Sequence, residues 1–386
     1  MQKGPVYVRS TKTKVHPVVR LGLVATALLA LTACTTMAPR NAVPVHLAEQ
    51  ATIQADQKLR YWGDDRELAR IQASIPPGSD GDVDYLTLSG GGSNGAYGVG
   101  FLTGWSARGD RPEFEVVTGI SVGAIIAPLA FLGSRHDTAL RQAMAMLSRQ
   151  PKSSGGLLSV AFGGSSMISN DTLRQAIETV IDAQVLRSIA EAHRNGRRLY
   201  VGTTNLDAQR PVVWDIGAIA ISNLPDKLEL VHEVILASAA VPGIFPPVLI
   251  EVDADGRRYS ELHVDGGVTE QLVLMPGGYE AFVKNRRGVQ KLYVIYNGAT
   301  AASPSAVNTS GLSLLERSVP TLLKYLGRSN IEQLANAARS VGLHFRLTSM
   351  PASFPEASGF FGTPAWINAL FEQGVRNGRA GDWEER

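Results

Sequence analysis

The chain has 386 residues, of which 44% are hydrophobic and 19% are charged, and it contains 39 glycines. This composition is typical of a folded body of one or two domains and excludes both a disordered tail and a protein with many membrane-spanning helices. The formal net charge is +2, but residues 1–33 hold five basic residues and no acidic one, so the remainder has 32 basic against 35 acidic residues. Such a balance gives no basic footprint, and we expect no nucleic-acid partner.

Residues 1–33 have the pattern of a bacterial export signal. A basic stretch ends at Arg20, and the apolar run 21–31 is about half of the ~20 residues that a spanning helix needs. The run ends in LTAC (31–34), which resembles the lipobox in which the cysteine is lipidated and becomes the new N-terminus. Cys34 is the only cysteine, so a free thiol is the alternative to an anchor. Because Thr35 is not the aspartate of lipoproteins retained at the inner membrane, the resemblance implies a lipid-anchored protein of the bacterial cell envelope, at the outer membrane.

The next segment, 34–80, is predicted to be a tether followed by a helical stretch over 51–73. From residue 81 onward, apolar strand patterns alternate with helical ones, which is typical of an α/β domain. Residues 301–386 are predicted to form a helical extension packed on that domain. The predicted strands are 83–88, 115–118, 198–203, 212–215, 249–252, 261–264 and 291–296. The predicted helices are 123–132, 171–189, 226–240 and 312–339.

The sharpest motif is G-x-S-x-G at 119–123, between a predicted strand and a small-residue helix. A nucleophile elbow needs Gly119 and Gly123 because the serine between them sits on a tight strand-to-helix turn, where side chains two positions away would clash. The N-terminus of the following helix directs amide donors toward a developing oxyanion. The motif predicts Ser121 as a nucleophile, with a plain glycine-rich turn as the alternative.

A second motif, GGGSNG at 90–95, directly follows the first strand of the body. It also satisfies G-x-G-x-x-G, but a dinucleotide site needs an acidic residue at the end of the next strand, and Glu115 opens that strand instead. Consecutive glycines let backbone N–H groups surround an anionic oxygen. The motif therefore predicts an oxyanion hole built from Gly90, Gly91, Gly92, Ser93, Asn94 and Gly95.

A third motif places Asp265 at the end of a predicted strand, followed by Gly266 and Gly267. We expect this carboxylate at the carboxyl edge of the sheet, where open α/β sheets bind ligands. Asp-Gly alone is an ordinary turn signal, so the aspartate gains meaning only beside the other two motifs.

In this order, the three motifs resemble those of the patatin-like phospholipase family. The resemblance covers 83–297 and includes ASAAVPGIFPP (237–247), similar to the segment that precedes the family's aspartate. It implies a three-layer sheet flanked by helices, a catalytic domain at 81–300, and a Ser-Asp dyad of Ser121 and Asp265 that uses no cofactor and no metal. The family usually has Arg or Lys at the position of Asn94, so this chain brings no charge there.

The implied activity is cleavage of fatty-acyl esters of a lipid or phospholipid through an acyl-enzyme, of phospholipase A or lysophospholipase type. The resemblance further implies that the N–H groups of Gly91 and Gly92 hold the oxyanion. Acyl transfer would use the same intermediate. The sequence does not indicate an oligomeric state.

Two alternatives remain open from the residues alone. A Ser-His-Asp hydrolase uses the same elbow; His263 lies two residues before Asp265 and would need Asp207 or Asp215, whereas His344 has the right chain order. The other alternative is a non-catalytic lipid-binding envelope lipoprotein, although a binding module has no need of a strained nucleophile turn.

Overall fold

The computed structural model describes residues 40–53, 58–65, 81–147, 168–273, 288–357 and 361–386. The predicted signal sequence and Cys34 lie outside the described residues. Among the residues that are described, no helix is both long and apolar enough to cross a membrane.

A mixed sheet of ten described strands forms the centre of the fold, in the order β1-β5-β4-β3-β2-β8-β9-β10, with β7 paired to β4 and β6 paired to β7. The five middle strands from β4 to β9 are parallel. Every residue of β2 and β3 is buried, as expected when helices cover both faces of a parallel sheet. The strands are β1 Arg60–Trp62, β2 Val83–Leu88, β3 Val116–Ile120, β4 Arg198–Asn205, β5 Arg210–Asp215, β6 Val248–Ala254, β7 Arg257–Asp265, β8 Gln290–Tyr296, β9 His344–Ser349 and β10 Glu384–Glu385.

Helices pack on both faces of this sheet, which confirms the predicted three-layer α/β class. One apolar cluster joins the sheet to the helices between residues 95 and 240 and to the last helix, and a second joins it to the long helix Gly311–Val341 through Ile331, Leu334 and Ala338. Predicted helix 171–189 is two helices, because the Asp182 side chain accepts the N–H groups of Gln184 and Val185 and starts a new helix. The helices are α1 Gly95–Arg108, α2 Val122–Phe131, α3 Asp137–Leu147, α4 Asp171–Val180, α5 Ala183–Arg194, α6 Ile216–Ile221, α7 Lys227–Ser238, α8 Gly311–Val341 and α9 Pro364–Ala380.

The prediction of a helix over 51–73 is wrong where the structure describes that segment. Residues 60–62 form β1, which pairs antiparallel with β5, and the short helix at 45–50 is a 3-10 turn. Tyr61 is buried and its neighbours Arg60 and Trp62 are less so, which is the two-residue alternation of burial that a strand shows. Pairing with a distant edge strand outweighed the local helix pattern.

The prediction that 301–386 is a helical extension packed on the catalytic domain is wrong for two strands of this segment. β9 pairs in parallel with β8 along its full length, and β10 pairs with β9. The segment therefore completes the central sheet instead of lying on its outside.

The last helix, α9, approaches α1 closely because glycines face each other across the contact. A Cβ on Gly100 would lie 2.1 Å from the Phe371 carbonyl oxygen, and one on Gly378 would lie 2.1 Å from the Phe101 carbonyl oxygen. Small residues at this contact let the two backbones touch.

We expect Gly378→Val to lower the free energy of unfolding by at least about 3 kcal/mol, because the new side chain must push α9 away from α1. Urea unfolding followed by circular dichroism measures this loss. Glu372→Val, at an exposed position of the same helix, is the matched control and should change stability by less than about 1 kcal/mol. Equal losses in the two variants would show that the glycine contact is not needed.

Candidate active site

Ser121 lies in the turn between β3 and α2 with φ 57° and ψ −125°, a backbone conformation that L-residues rarely adopt. Gly119 and Gly123, on either side of Ser121, must be glycines because backbone atoms lie too close to leave room for a Cβ. A Cβ on Gly119 would lie 2.4 Å from the Gly123 carbonyl oxygen, and one on Gly123 would lie 2.3 Å from the Leu88 carbonyl oxygen. The turn thus has the geometry that the G-x-S-x-G spacing predicts.

A second serine, Ser238 at the end of α7, holds this turn in place. The Ser121 N–H donates to Ser238 Oγ at 2.9 Å, and that hydroxyl donates to the Gly202 carbonyl oxygen of β4 at 2.6 Å. Sequence reasoning did not assign Ser238 a role. The only signal was its place in the segment that resembles the family.

Asp265 meets Ser121 because β3 and β7 approach each other end to end along the same side of β4. Ile120, the last residue of β3, pairs with Gly202, and Asp265, the last residue of β7, pairs with Thr203. β7 thus pairs with the same edge of β4, beginning at the residue after the one where β3 ends. The register brings the serine and the aspartate together although 144 positions separate them in the sequence.

The Asp265 side chain is buried, with 4% of its surface exposed. Burial raises the pKa of this carboxyl to about 7, while the Ser121 hydroxyl and the Gly267 N–H stabilise the ionised form and oppose the rise. Oδ1 accepts the Gly267 N–H at 2.7 Å. Oδ2 has no hydrogen bond of normal geometry among the described residues, so this oxygen is available for a proton.

The glycine loop after β2 is shaped by Asn297, which follows β8. A Cβ on Gly91 would lie 2.0 Å from the Asn297 carbonyl oxygen, and φ at this glycine is 148°. The Asn297 side chain accepts the Gly98 N–H at 3.1 Å and donates to the Ser89 carbonyl oxygen at 2.9 Å. Glycine is therefore required at position 91, and Asn297, which sequence reasoning missed, fixes both ends of the loop.

Only part of the predicted oxyanion hole has N–H groups to offer. The Gly90 N–H donates to the Gln271 carbonyl oxygen, and the Asn94 N–H donates to the Gly91 carbonyl oxygen. The Gly95 N–H donates to carbonyl oxygens within the loop itself. The candidates that remain within the loop are the N–H groups of Gly91, Gly92 and Ser93.

The other loop residues have packing roles instead. A Cβ on Gly90 would lie 3.2 Å from the Ser121 Cβ, and one on Gly95 would lie 2.3 Å from Val122 Cγ2, so the loop and the start of α1 rest directly on the serine turn. A Cβ on Gly266 would lie 2.5 Å from the Gly202 carbonyl oxygen, and one on Gly267 would lie 2.5 Å from Gln271 Nε2. The Asn94 side chain does not cap α1.

Neither histidine considered as an alternative base reaches Ser121. His263 is fully buried and uses both ring nitrogens elsewhere, and His344 begins β9 at the amino edge of the sheet, opposite Lys291. The acids considered for that alternative are also engaged: Asp207 pairs with Arg40, and Asp215 caps α6 by accepting the Ala218 N–H at 2.8 Å. Neither of these two histidines therefore forms a Ser-His-Asp arrangement with Ser121.

His263 belongs instead to a buried polar chain on the strand that ends in Asp265. Its Nε2 lies 3.1 Å from Glu261 Oε2 and its Nδ1 lies 3.0 Å from Thr203 Oγ1, which accepts the Trp214 indole N–H at 2.9 Å. The ionised Glu261 carboxylate can only accept, so the His263 ring carries a proton on Nε2 and donates it to Glu261. Burial lowers the pKa of His263, so the neutral ring accepts the Thr203 hydroxyl at Nδ1. Arg60 of β1 completes the chain by a buried ion pair with Glu261.

This ion pair ties β1 to the strand that ends in Asp265. We expect Arg60→Gln to lower the free energy of unfolding by about 3 kcal/mol at neutral pH, since it leaves the buried Glu261 charge without its cation. Burial alone raises the pKa of Glu261, but hydrogen bonds from Arg60 and His263 lower it from 4.5 to about 2. The stabilisation is therefore present above pH 4.5 and disappears as the pH falls toward 2, and the deficit of the variant should shrink with it.

Thermal unfolding from pH 3 to pH 8 would measure the deficit of Arg60→Gln. The matched control is Arg258→Gln, which removes an exposed ion pair with Glu251 on the same hairpin and should cost at most about 1 kcal/mol. A deficit that stays constant with pH would contradict the assignment of the loss to Glu261.

Among the residues that the structure describes, no group of three or more side chains is arranged to hold a metal ion. The described site consists of a serine, a carboxylate and backbone N–H groups.

The sheet, the strained serine between β3 and α2, and the glycine loop beside it define an α/β protein with a nucleophile-elbow geometry. Residues 86–276 match the model of the family described as patatin-like phospholipase. This part of the chain belongs to that family, which confirms the resemblance, and at family level the protein is a lipolytic acyl hydrolase.

Several solved structures are similar to the chain, among them the following two. One is VipD from Legionella pneumophila, at 12% identity over 81% of this chain and 70% of VipD, with a TM-score of 0.36. The other is the type III effector protein ExoU, at 12% identity over 81% of this chain and 55% of ExoU, with a TM-score of 0.32. No protein with curated annotation matches the sequence.

Proposed function

We propose that this protein hydrolyses fatty-acyl esters of membrane lipids through a dyad of Ser121 and Asp265. The observation that carries the proposal is the junction of β3 and β7, which presents a serine in a strained turn to a buried carboxyl with an unoccupied oxygen. Burial raises the pKa of Asp265 to about 7, which suits a group that must accept and return a proton near neutral pH.

In the proposed reaction, Asp265 Oδ2 accepts the hydroxyl proton of Ser121, and Ser121 Oγ attacks the ester carbonyl carbon. The N–H groups of Gly91 and Gly92, with the start of α2, stabilise the oxyanion, and each such donor is worth about 3 kcal/mol. The alcohol leaves with the proton from Asp265, and an acyl-enzyme remains. Water then attacks the acyl-enzyme with Asp265 again as base, and the fatty acid is released.

The same features argue against a non-catalytic lipid-binding protein. A serine at φ 57° costs about 1–3 kcal/mol, and a binding module gains nothing from it. A buried carboxyl without a cation partner is a second cost that catalysis explains and packing does not.

The experiment is labelling of the folded protein with a fluorophosphonate probe, followed by turnover of a short-chain p-nitrophenyl ester. We expect the wild type and Ser340→Ala, an exposed serine on α8, to label and to turn over, and Ser121→Ala to do neither. Folded wild-type protein that neither labels nor turns over, in solution or on vesicles, would favour the binding-protein alternative.

We propose further that the ester is a glycerophospholipid or lysophospholipid acyl ester. A lysophospholipid supplied as an acyl acceptor separates hydrolysis from transfer, because hydrolysis releases free fatty acid and transfer yields a diacyl product. Mass spectrometry of the products distinguishes the two, and mainly diacyl product would contradict hydrolysis.

We also propose that Cys34 is lipidated and tethers the body to the outer membrane. The lipobox-like ending and the absence of aspartate at position 35 support this proposal. In a bacterial host fed labelled palmitate, the full chain should carry label in the outer-membrane fraction, and Cys34→Ser should carry none. Equal label in both would contradict the proposal.

A further inference from the structure

The first half of α8 projects beyond the edge of the sheet at which Ser121 and Asp265 lie. α8 connects β8 to β9, two parallel strands, so it begins at their carboxyl edge. Gly327 lies level with the end of β8, since a Cβ on it would be 2.4 Å from Tyr296 Oη. Residues 311–326 therefore extend past this edge for about 24 Å, at 1.5 Å per residue.

The part of α8 directly below this projecting half contacts the site. The side chain of Asn330, about one turn inside the edge, accepts the Gln271 N–H at 2.9 Å. Gln271 in turn donates from Nε2 to the Gly267 carbonyl oxygen at 3.1 Å. The helix is thereby connected to the loop that follows Asp265.

The projecting half exposes large apolar side chains on one side. Leu314, Val319, Leu322 and Tyr325 are 49%, 42%, 70% and 55% exposed. At about 100° per residue they fall within an arc of about 140°. Val268, three residues after Asp265, is also exposed, by 45%. Apolar surface is thus concentrated at the edge through which an ester must reach Ser121.

The basic side chains of the same segment lie on the other side of the helix. Arg317 donates to the Ser303 carbonyl oxygen and Lys324 to that of Ala301, so these two face the loop after β8. Both also lie near Glu356, at 3.5 and 3.6 Å. Contacts with the body therefore turn the charged side inward and leave the apolar arc facing outward.

At the border of the arc, the Arg328 guanidinium lies 5.1 Å from the centre of the Tyr325 ring, and it has no ion pair among the described residues. Arg317 and Lys324 face the body beside Glu356, so Arg328 is the basic residue that this part of the helix offers to a bilayer. An apolar arc bordered by a tyrosine and an arginine matches the chemistry of an interfacial helix on an anionic bilayer.

We infer that the projecting half of α8, with Val268, is a membrane-docking surface for an anionic phospholipid bilayer. It seats the edge that carries Ser121 against the lipid, so that an acyl ester reaches the nucleophile without crossing water. The choice of a bilayer as occupant rests on the proposed function, because the substrate of that function resides there. Docking itself is measurable without turnover.

The first test places an environment-sensitive nitrobenzoxadiazole dye on the full chain. In a Cys34→Ser background, Leu322→Cys provides the only thiol, and Val289→Cys, 42% exposed at the amino edge of the sheet, is the matched position. If the predicted export signal at residues 1–33 bound the vesicles, it would bring both labelled proteins to them equally and could not produce a difference between the two dye positions. On phosphatidylglycerol vesicles, only the emission of the dye at position 322 should shift to shorter wavelength. Lipids with a doxyl group near the head of the acyl chain should quench that dye, since interfacial helices insert by about 5–10 Å.

Three outcomes would overturn the inference. In the first, the emission of the dye at position 322 does not shift on these vesicles. In the second, the dyes at positions 322 and 289 respond equally. In the third, the shift at position 322 appears without vesicles as the protein concentration rises, which would mean that a second copy of the chain covers the apolar arc. Equal responses on phosphatidylcholine vesicles would overturn the part assigned to charge.

A second test separates this inference from the proposed function. Leu322→Asp should lower turnover of phospholipid in vesicles by about tenfold or more and leave turnover of a soluble short-chain ester unchanged, because the residue is exposed and has no place in the proposed reaction. Val289→Asp should change neither. Absence of soluble-ester turnover in all proteins would refute the proposed function but leave the dye result valid, whereas unchanged vesicle turnover in Leu322→Asp would refute docking.

Discussion

Asp265→Asn should lower kcat/KM for a soluble ester by about a thousandfold, because an amide keeps the shape of the carboxyl but cannot accept the proton of Ser121. Burial raises the pKa of Asp265 to about 7, so this proposed base is protonated at lower pH in the wild type. Its kcat/KM should therefore fall about tenfold per pH unit below pH 7, and the residual activity of the variant should lack this limb.

The same substitution should stabilise the protein at neutral pH. The pKa of Asp265 is raised from 3.8 in the unfolded chain to about 7 in the folded one, so the folded state binds the proton more tightly between these values. Stability from this group is thus fully present below pH 3.8 and is lost as pH rises through 7, by up to about 4 kcal/mol. Asparagine carries no such dependence.

Thermal unfolding of wild type and Asp265→Asn from pH 4 to pH 8 measures this effect, and the advantage of the variant should grow with pH. Asp253→Asn, an exposed aspartate on β6, should behave as the wild type in both activity and stability. If the two melting curves differ by a constant amount at all pH values, burial does not control the titration of Asp265.

Ser121→Gly should abolish turnover, by about 10⁴-fold or more, and at the same time raise the free energy of unfolding by about 1–2 kcal/mol. Turnover is lost because the proposed nucleophile is gone. Stability is gained because glycine adopts φ 57° and ψ −125° without the clash of a Cβ.

Ser121→Ala is the matched variant, since it removes the same hydroxyl but keeps the Cβ. We expect it to be as inactive as Ser121→Gly and to unfold at the wild-type denaturant concentration. Equal stability of the glycine and alanine variants would mean that the turn stores no strain.

Local patterns were sufficient for the features that depend on neighbours in the chain. The spacing of Gly119, Ser121 and Gly123 predicted the turn, and the contacts that a Cβ would make at both glycines explain it. The apolar runs predicted the buried strands to within a few residues, because a strand covered on both faces has little tolerance for polar side chains.

Features that depend on distant pairing were missed or wrong. β1 was taken for a helix and β9 was absent from the prediction, because each becomes a strand by pairing with an edge that another segment provides. Ser238 and Asn297 have no local signature, since a single side chain at the end of a helix or a strand becomes important only when a loop from elsewhere arrives at it.

The chemical inventory of the site is thus a property of the linear sequence: a serine between two glycines, a glycine-rich loop and an aspartate before two glycines, each recognisable because backbone sterics restrict which residues a tight turn accepts. Their assembly is a property of the folded chain. Strand register along β4 decides that Asp265 faces Ser121, burial decides that its pKa lies near 7, and the crossover from β8 to β9 decides that an apolar helix projects beside them. None of these follows from local spacing, because each depends on contacts between residues far apart in the chain.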